Sequence, residues 1–402
     1  MRVTFLGLGG GEPESATVET WDALEDAEIV VGAGRLLDIV PENDAQRRYA
    51  AVGTEEIASL LARETAENAC VLLSGDTGFY SGTLALVLLL EAQGMECRVL
   101  PGVSSVQLLA SRLRRPWQDW TLCSAHGVNC DPVAALMRGK ATFFLTGGAN
   151  TPATLCRELT EAGLGALRVT VGENLSYPHE RIIETTAAEA AEGCFDALSV
   201  LLAEALERPE LPIGGLADEV FARGSVPMTK QEIRAAIRSK LALRRNDTVW
   251  DVGAGTGSVS VELALTADEG RVYAVERDSE ACALVEENRR RLGAWNLRVI
   301  KGAAPEALYE LPKPDAVFVG GSGGKLREIF EAALAANPAV RLCVSAIALE
   351  TLSTALGLCR ELDMEAEITQ LAVSRTKTAG ELHLLMANNP VFLITAQRRE
   401  IK

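Results

Sequence analysis

The 402-residue sequence contains nine cysteines but no CxxC pair and no Cys/His cluster. This odd, scattered set disfavours a disulfide framework and a zinc site, and predicts buried thiols. Basic runs are also missing, and the net charge is -16. A nucleic-acid partner would then need a focused basic patch. The nearest approach to one, Arg289, Arg290 and Arg291 behind Glu286 and Glu287, reads as a solvated helix face. No apolar run nears the ~20 residues that span a bilayer. The longest, LALVLLL at 84–90, stops at Glu91 and reads as a buried helix, so no membrane partner is expected. The opening MRVTFLGLG carries no basic leader and no small-residue cleavage site, which predicts a cytoplasmic protein.

What is present is a long alternation of short apolar strands, glycine loops and helices. At roughly 150 residues per domain the chain predicts two or three domains. VTFLGLG, AEIVVG, ACVLLSGDTG and CRVLPGVSS make a first lobe over about 1–115. TLCSAHG, ATFFLTGG, LRVTVGENLS and ALSVLLAEA make a second over 116–206. Both read as α/β with mixed or parallel sheets. Residues 207–227 hold three prolines and three glycines without a sustained period and read as a linker or entry segment. From TKQEIRAAIRSKLAL the pattern is helical, with Thr229 as the expected N-cap and Glu232 three residues on. Strand, loop and helix then alternate over 228–402, as in one doubly wound domain.

The sharpest motif is WDVGAGTG at 250–257. Gly253, Gly255 and Gly257, with Ala254 and Thr256 between them, follow a buried strand and open a helix whose free N–H groups face a ligand. The spacing is GxGxG, and Ser258 stands where a dinucleotide fingerprint needs its third glycine. Nineteen residues after Gly257, Glu276 ends the next strand, where a carboxylate can accept from both hydroxyls of a ribose. S-adenosylmethionine (SAM) needs this arrangement. The ribose carboxylate alone does not separate SAM from NAD, and a packing turn is the plain alternative. The fourth-strand loop, VGGSGG, lacks the Asp/Asn-Pro-Pro-aromatic cluster of amine methylases, and no Pro-Cys nucleophile is present. A nucleobase amine or cytosine is therefore not the expected acceptor.

PMTKQEIR, WDVGAGTGSVSVE, AVERD, GAAPEAL and VGGSGG together resemble the decarboxylating methyltransferases of cobalamin biosynthesis. VTFLGLGGG, LSGDTGFYSG, PGVSSVQLLASRL, SAHG, LTGGANTPATL and VGENLSYPHERI resemble, in order, the tetrapyrrole methylases. The pair is similar to a two-domain methyltransferase family of corrin synthesis. The resemblance implies a two-lobed tetrapyrrole methylase (class III) fold followed by a Rossmann-like class I methyltransferase, with one SAM in each domain. Carried over by position, it gives Gly10, Asp76, Phe79, Ser104, Ser105 and Leu145 as cofactor contacts in the first domain. In the second it gives Thr229, Gly253, Ala254, Gly255, Thr256, Gly257, Glu276 and Ala304. Two positions depart from the family: Thr77 where proline is common, and Ala303 where an acidic residue is frequent.

The resemblance further implies a bifunctional enzyme acting on an anionic precorrin-6B-type tetrapyrrole. Carbon 5 falls to the N-terminal domain, and carbon 15 plus loss of the ring C acetate carboxylate to the C-terminal one. The ring carbons are enamine-like, so positioning about 3–3.5 Å from the methyl donor replaces a strong base. His126, Lys230, Arg234, Arg375 and Lys377 are the candidates for holding substrate, the last four as carboxylate clamps. No general base and no metal ligand are named, and a homo-oligomer is expected. Two alternatives stand beside this: an RNA or protein methyltransferase, and a chain in which one domain only binds tetrapyrrole.

Overall fold

A computed structural model describes residues 1–128 and 130–398. The chain divides into two compact units, residues 1–130, 140–160 and 165–204, and residues 131–139, 161–164 and 205–402. The first unit contains two five-stranded sheets. One is built from β1 (Arg2–Gly7), β2 (Ile29–Gly32), β3 (Arg47–Ala50), β4 (Asn68–Leu73) and β5 (Glu96–Leu100), all parallel, in the order β3-β2-β4-β1-β5. Val3, Phe5, Val31 and Val71 pack into the core on one face, while Leu6, Val30, Cys70 and Leu72 pack on the other. Successive side chains point to opposite faces, so a sheet covered on both sides needs uninterrupted apolar strands, which VTFL, IVV and CVLL supply.

The other sheet is mixed: β6 (Thr121–Ser124), β7 (Thr142–Leu145), β8 (Arg168–Glu173), β9 (Arg181–Thr186) and β10 (Ser199–Ala203), ordered β6-β7-β10-β8-β9. Only β6 and β7 run parallel; the remaining pairs are antiparallel.

In the second unit β11 (Thr248–Val252), β12 (Arg271–Glu276), β13 (Leu297–Lys301), β14 (Ala316–Val319), β15 (Arg341–Ala346), β16 (Met364–Leu371) and β19 (Val391–Arg398) form one sheet, ordered β13-β12-β11-β14-β15-β19-β16. The first five strands are parallel, and β19 is antiparallel to both neighbours. The strand order reverses at β11, between β12 and β14, which opens a crevice at their carboxyl ends. A separate ribbon, β17 (Ser374–Ala379) and β18 (Leu382–Ala387), precedes β19.

Four expectations change on meeting the structure. LALVLLL lies in the helix Thr83–Ala92, but only Leu86 and Leu90 of its leucines are buried, and Leu84 and Leu88 are exposed. With no polar residue in the run, whichever side faces away from the sheet is apolar. Residues 207–227 are not a free linker: Leu216 and Phe221 join the core of the second unit. The helix after them begins at Gln231 with Lys230 as N-cap and no side-chain cap; the Thr229 carbonyl instead accepts from Arg234 Nη1 at 2.6 Å. Arg289 is not solvated but 5% exposed, bonded to Glu286 and stacked over Trp295. Five of the nine cysteines are buried, Cys194 is exposed, and no two are joined by a disulfide.

Candidate active sites

The first unit opens a cleft of about 290 Å³. Three glycine turns make its floor. A Cβ on Gly7 would lie 2.7 Å from the Gly102 nitrogen, and one on Gly102 would lie 2.2 Å from the Gly75 carbonyl. The turns after β1, β4 and β5 therefore meet backbone to backbone, at the carboxyl edge where parallel sheets bind ligands.

All the expected first-unit residues, Gly10, Asp76, Phe79, Ser104, Ser105, Leu145 and His126, line this cleft. Their roles differ from one another. Asp76 organises the turns, accepting from the Gly78 amide at 2.9 Å and the Gly102 amide at 3.1 Å. Ser104 caps the helix Ser105–Leu113, with Gln107 returning a bond to its amide at 2.8 Å. Phe79 is an apolar wall packed against Phe143. Gly10 is small by necessity, since a Cβ there would stand 2.4 Å from Ser176 Oγ. Thr77 replaces the rigidity of a proline with a bond, donating from its buried hydroxyl to the Leu100 carbonyl at 3.0 Å.

The sequence reading missed Arg35, Tyr80 and Tyr177, which also line the cleft. Arg35 Nη1 donates to the Tyr177 hydroxyl at 3.0 Å, placing a cation at the mouth. The Tyr177 loop is held in turn by Glu180, which accepts from Arg112 at 2.6 and 3.0 Å and from the Ser176 amide at 2.7 Å. A basic residue one turn behind a β-strand glycine, as in VVGAGR, was the available signal.

The second unit has a cleft of about 330 Å³ at the strand-order reversal. Gly253, Glu276, Ala303 and Ala304 line it. Gly253, Gly255 and Gly257 have φ of +74°, +56° and +73°, a left-handed region that side-chain-bearing residues rarely adopt. A Cβ on Gly253 would meet the Gly321 carbonyl at 2.5 Å, and one on Gly257 would meet Val285 at 2.8 Å. Gly253 and Gly257 are thus closed to any side chain by contact as well as by conformation, while Gly255 is favoured by its φ alone. Glu276 accepts from the Gly255 amide at 3.0 Å through one oxygen, and from the Arg277 and Asp278 amides at 2.8 and 3.0 Å through the other. Its carboxylate is fixed at the cleft edge and still has lone pairs to offer.

Ala254, Gly255, Thr256, Gly257 and Thr229 do not line the cleft themselves; the loop acts through its shape. The cradle of glycines and a fixed carboxylate fits the amino-acid and ribose ends of SAM. Beneath the loop Asp251 is fully buried, bonded to the Ser260 hydroxyl. Burial pushes its carboxyl up to about 7; the Ser260 bond opposes this and the nearby Glu276 charge adds to it.

The four expected clamps are not in this cleft. Arg234 is 0% exposed, with Nε 2.8 Å from Glu262 and Nη1 2.7 Å from Asp218. Such a guanidinium has no charge left for a substrate, which corrects its assignment. Arg375 is also spent, bonded to Glu232 and at 2.7 Å to Asp218. Burial would raise the Asp218 carboxyl, but its bonds to Arg234 and Arg375 hold it below its ordinary value. Lys230 and Lys377 are exposed and lie outside both clefts. The cations at the cleft are Arg277 and Lys325, which sequence reading passed over although each directly follows a cofactor-loop motif. An adjoining hollow shares Gly321 and Ser322 and continues along Val344, Ala346 and Ile347.

Residues 2–191 match the family model of the tetrapyrrole (corrin/porphyrin) methylases, and residues 219–398 match that of the precorrin methyltransferase domain. A precorrin-6Y C(5,15)-methyltransferase [decarboxylating] from Sinorhizobium is 31% identical over 340 residues, covering 83% of this chain and 81% of the relative. A probable cobalt-precorrin-6B C(15)-methyltransferase (decarboxylating) from Pyrobaculum calidifontis is 45% identical over 185 residues, 45% of this chain and 95% of the relative. The crystal structure of a precorrin-6Y C5,15-methyltransferase from Geobacter metallireducens is 35% identical and covers 47% of this chain and 100% of its own, with a TM-score of 0.45. Two domain matches in series, and one relative that runs through both, make the chain a member of the fused, decarboxylating precorrin-6Y C5,15-methyltransferase family of cobalamin biosynthesis.

Proposed function

We propose that the chain is a bifunctional enzyme that methylates carbons 5 and 15 of a precorrin-6B-type tetrapyrrole and removes a carboxylate from its ring C acetate, with one SAM bound in each unit. The observation that carries this is the pair of separate glycine-floored clefts, each at the carboxyl ends of parallel strands. The catalytic domains correspond to residues 1–206 and 228–402, the first serving carbon 5 and the second carbon 15 and decarboxylation. This division follows the resemblance of the C-terminal motifs to the decarboxylating methyltransferases; a relative named a probable C(15)-methyltransferase (decarboxylating) covers 45% of this chain and is consistent with it. SAM, when bound, supplies an electrophilic methyl group. The residues of the chain bind, orient and keep water away.

In the first cleft Phe79 and Leu145 wall the site, and Arg35, Tyr177 and His126 face an anionic macrocycle at the mouth. In the second cleft Glu276 takes the ribose hydroxyls, and the backbone at Ala303 and Ala304 takes the adenine. Arg277 holds substrate carboxylates there, in place of the four cations first considered; Lys325 lines the same cleft but is paired with Glu306 at 2.8 Å. The exposed Ile347 and Leu349 beside the adjoining hollow offer an apolar rest for the ring face. Decarboxylation sends the electron pair of the breaking bond into the conjugated macrocycle, so the protein needs to desolvate one carboxylate while clamping the others. The enzyme works as a cytoplasmic homo-oligomer; exposed Leu382, Leu384, Leu385 and Met386 on the β17–β18 ribbon support self-association.

The test is calorimetric titration of the whole chain with S-adenosylhomocysteine (SAH), followed by mass spectrometry after incubation with SAM and a precorrin-6B-type substrate. Two sites, a gain of two methyl groups and loss of carbon dioxide are expected. A single site would favour the reading in which one unit only holds the tetrapyrrole.

A further inference from the structure

We propose that Cys123 and Cys130 are a thiol–disulfide modification site that resets the loop carrying His126 into the first cleft. Cys123 lies in β6 and is half-buried; Cys130 closes the following loop and is 8% exposed. Their sulfur atoms are 3.2 Å apart. A disulfide needs about 2.05 Å, so closing the bond brings the two sulfurs together by about 1 Å, a movement shared between the side-chain torsions and the loop they bound.

The loop has little freedom to absorb that movement. Asn150 Nδ2 donates to the carbonyls of Ala125 and Val128, both at 2.8 Å. His126 Nδ1 sits 3.2 Å from the Thr146 carbonyl, and so close to Gly147 that a Cβ there would be 1.8 Å from the same nitrogen. The ring cannot retreat toward Gly147, so it shifts along the cleft it lines. Tyr80, a second cleft residue, donates to the Leu122 carbonyl at 3.0 Å, one residue before Cys123. The Cys123 end of the cross-link is therefore tied to the cleft wall, and the loop that follows it carries His126 into the same cleft.

The oxidant is a low-molecular-weight disulfide. The more exposed Cys123 attacks one of its sulfurs as thiolate and expels the first thiol. Cys130 then attacks the Cys123 sulfur and expels the second. The chain loses two hydrogens and two electrons, and the reagent leaves as two thiols. In a reducing compartment such a bond is transient and reports redox state.

The experiment treats the full chain, in a Cys194→Ser background, with glutathione disulfide and maps unreduced peptides by mass. The expected result is a Cys123–Cys130 link reversed by dithiothreitol, with altered amide hydrogen exchange at residues 124–128 and 146–150. SAH affinity of the first cleft should fall about tenfold, as a displacement of order 1 Å in a binding wall produces, with the second cleft unchanged. Before treatment Cys123→Ser and Cys130→Ser should bind as the reduced chain does; with the oxidant Cys123→Ser should form no link, and Cys130→Ser should stop at a Cys123–glutathione mixed disulfide. Persisting free thiols, a parent chain that stops at a glutathione mixed disulfide, or a link with no exchange change would overturn the proposal. The affinity effect rests on the first cleft being a SAM site. A reduced chain that binds SAH in the second unit alone would refute that reading, leaving the cross-link and its exchange signature to decide this one.

Discussion

Replacing Arg234 by methionine separates a structural cation from a substrate clamp. The guanidinium is fully buried and bonded to Asp218, Glu262 and the carbonyls of Thr229 and Leu216. Its removal strands two buried carboxylates, a change that costs about 3–5 kcal/mol when nothing else compensates. Here Arg375 still reaches Asp218 at 2.7 Å and Arg238 still reaches Glu262 at 3.3 Å, so the lower end, about 3 kcal/mol, is expected. Hydrogen exchange of the β11 and β12 core amides measures this as a loss of roughly two orders of magnitude in protection. Replacing Asp218 and Glu262 by leucine in the same chain should recover much of that loss, because the stranded charges go with them. The KM for tetrapyrrole should stay near that of the parent chain. Unchanged protection together with a large rise in KM would refute the structural assignment and restore Arg234 as a clamp.

Three further outcomes are expected. Asp251 ionises at its ordinary 3.8 in the unfolded chain and at about 7 when folded, so the folded state binds its proton more tightly. The resulting stability is full below 3.8 and is lost as pH rises through about 7, by at most about 4 kcal/mol. Asp251→Asn should flatten the decline of stability between those pH values, and denaturation curves that decline in parallel with the parent would contradict this. Glu276→Gln turns an NH₂ toward backbone donors and should weaken SAH at the second cleft by about 10- to 100-fold, equivalent to the 1.5–3 kcal/mol of a charged hydrogen bond. Titration should show the first cleft unaffected. Thr77→Val keeps the shape but strands the Leu100 carbonyl, and should lower the stability of the first unit by about 1–3 kcal/mol in thermal unfolding.

Much of the architecture could be read from residue order because the central parallel strands, such as β2, β4, β11, β12 and β14, are buried and leave apolar runs. The GxGxG loop was legible for a similar reason: three positive-φ positions admit little besides glycine. Its partner Glu276 was found by strand spacing, yet its bonds to the Arg277 and Asp278 amides were not, since backbone donors leave no trace in side-chain chemistry. The clamps failed for a different cause. A cation in an amphipathic helix looks the same on paper whether it faces solvent, a substrate or buried acids. Arg234 was decided by Asp218 and Glu262, which lie on either side of it in the chain and meet it only on folding. Arg35, in the short helix Gly34–Leu37, and Lys325, at the N-cap of the helix Leu326–Ala336, were overlooked because place in the fold, not residue type, brings them to the clefts.

The Glu276 carboxylate also bears on how the second cleft discriminates among nucleosides. Three amides have already oriented its oxygens, so a ligand meets an acceptor that need not rearrange on contact. Little of the binding free energy is then lost to ordering that side chain, and each sugar hydroxyl counts at nearly its full worth. A 2′-deoxy analogue of SAH should be rejected far more sharply than its single missing oxygen suggests, since the vacated lone pair would stay desolvated. The cleft would then tell ribose from deoxyribose without a single residue devoted to excluding the latter.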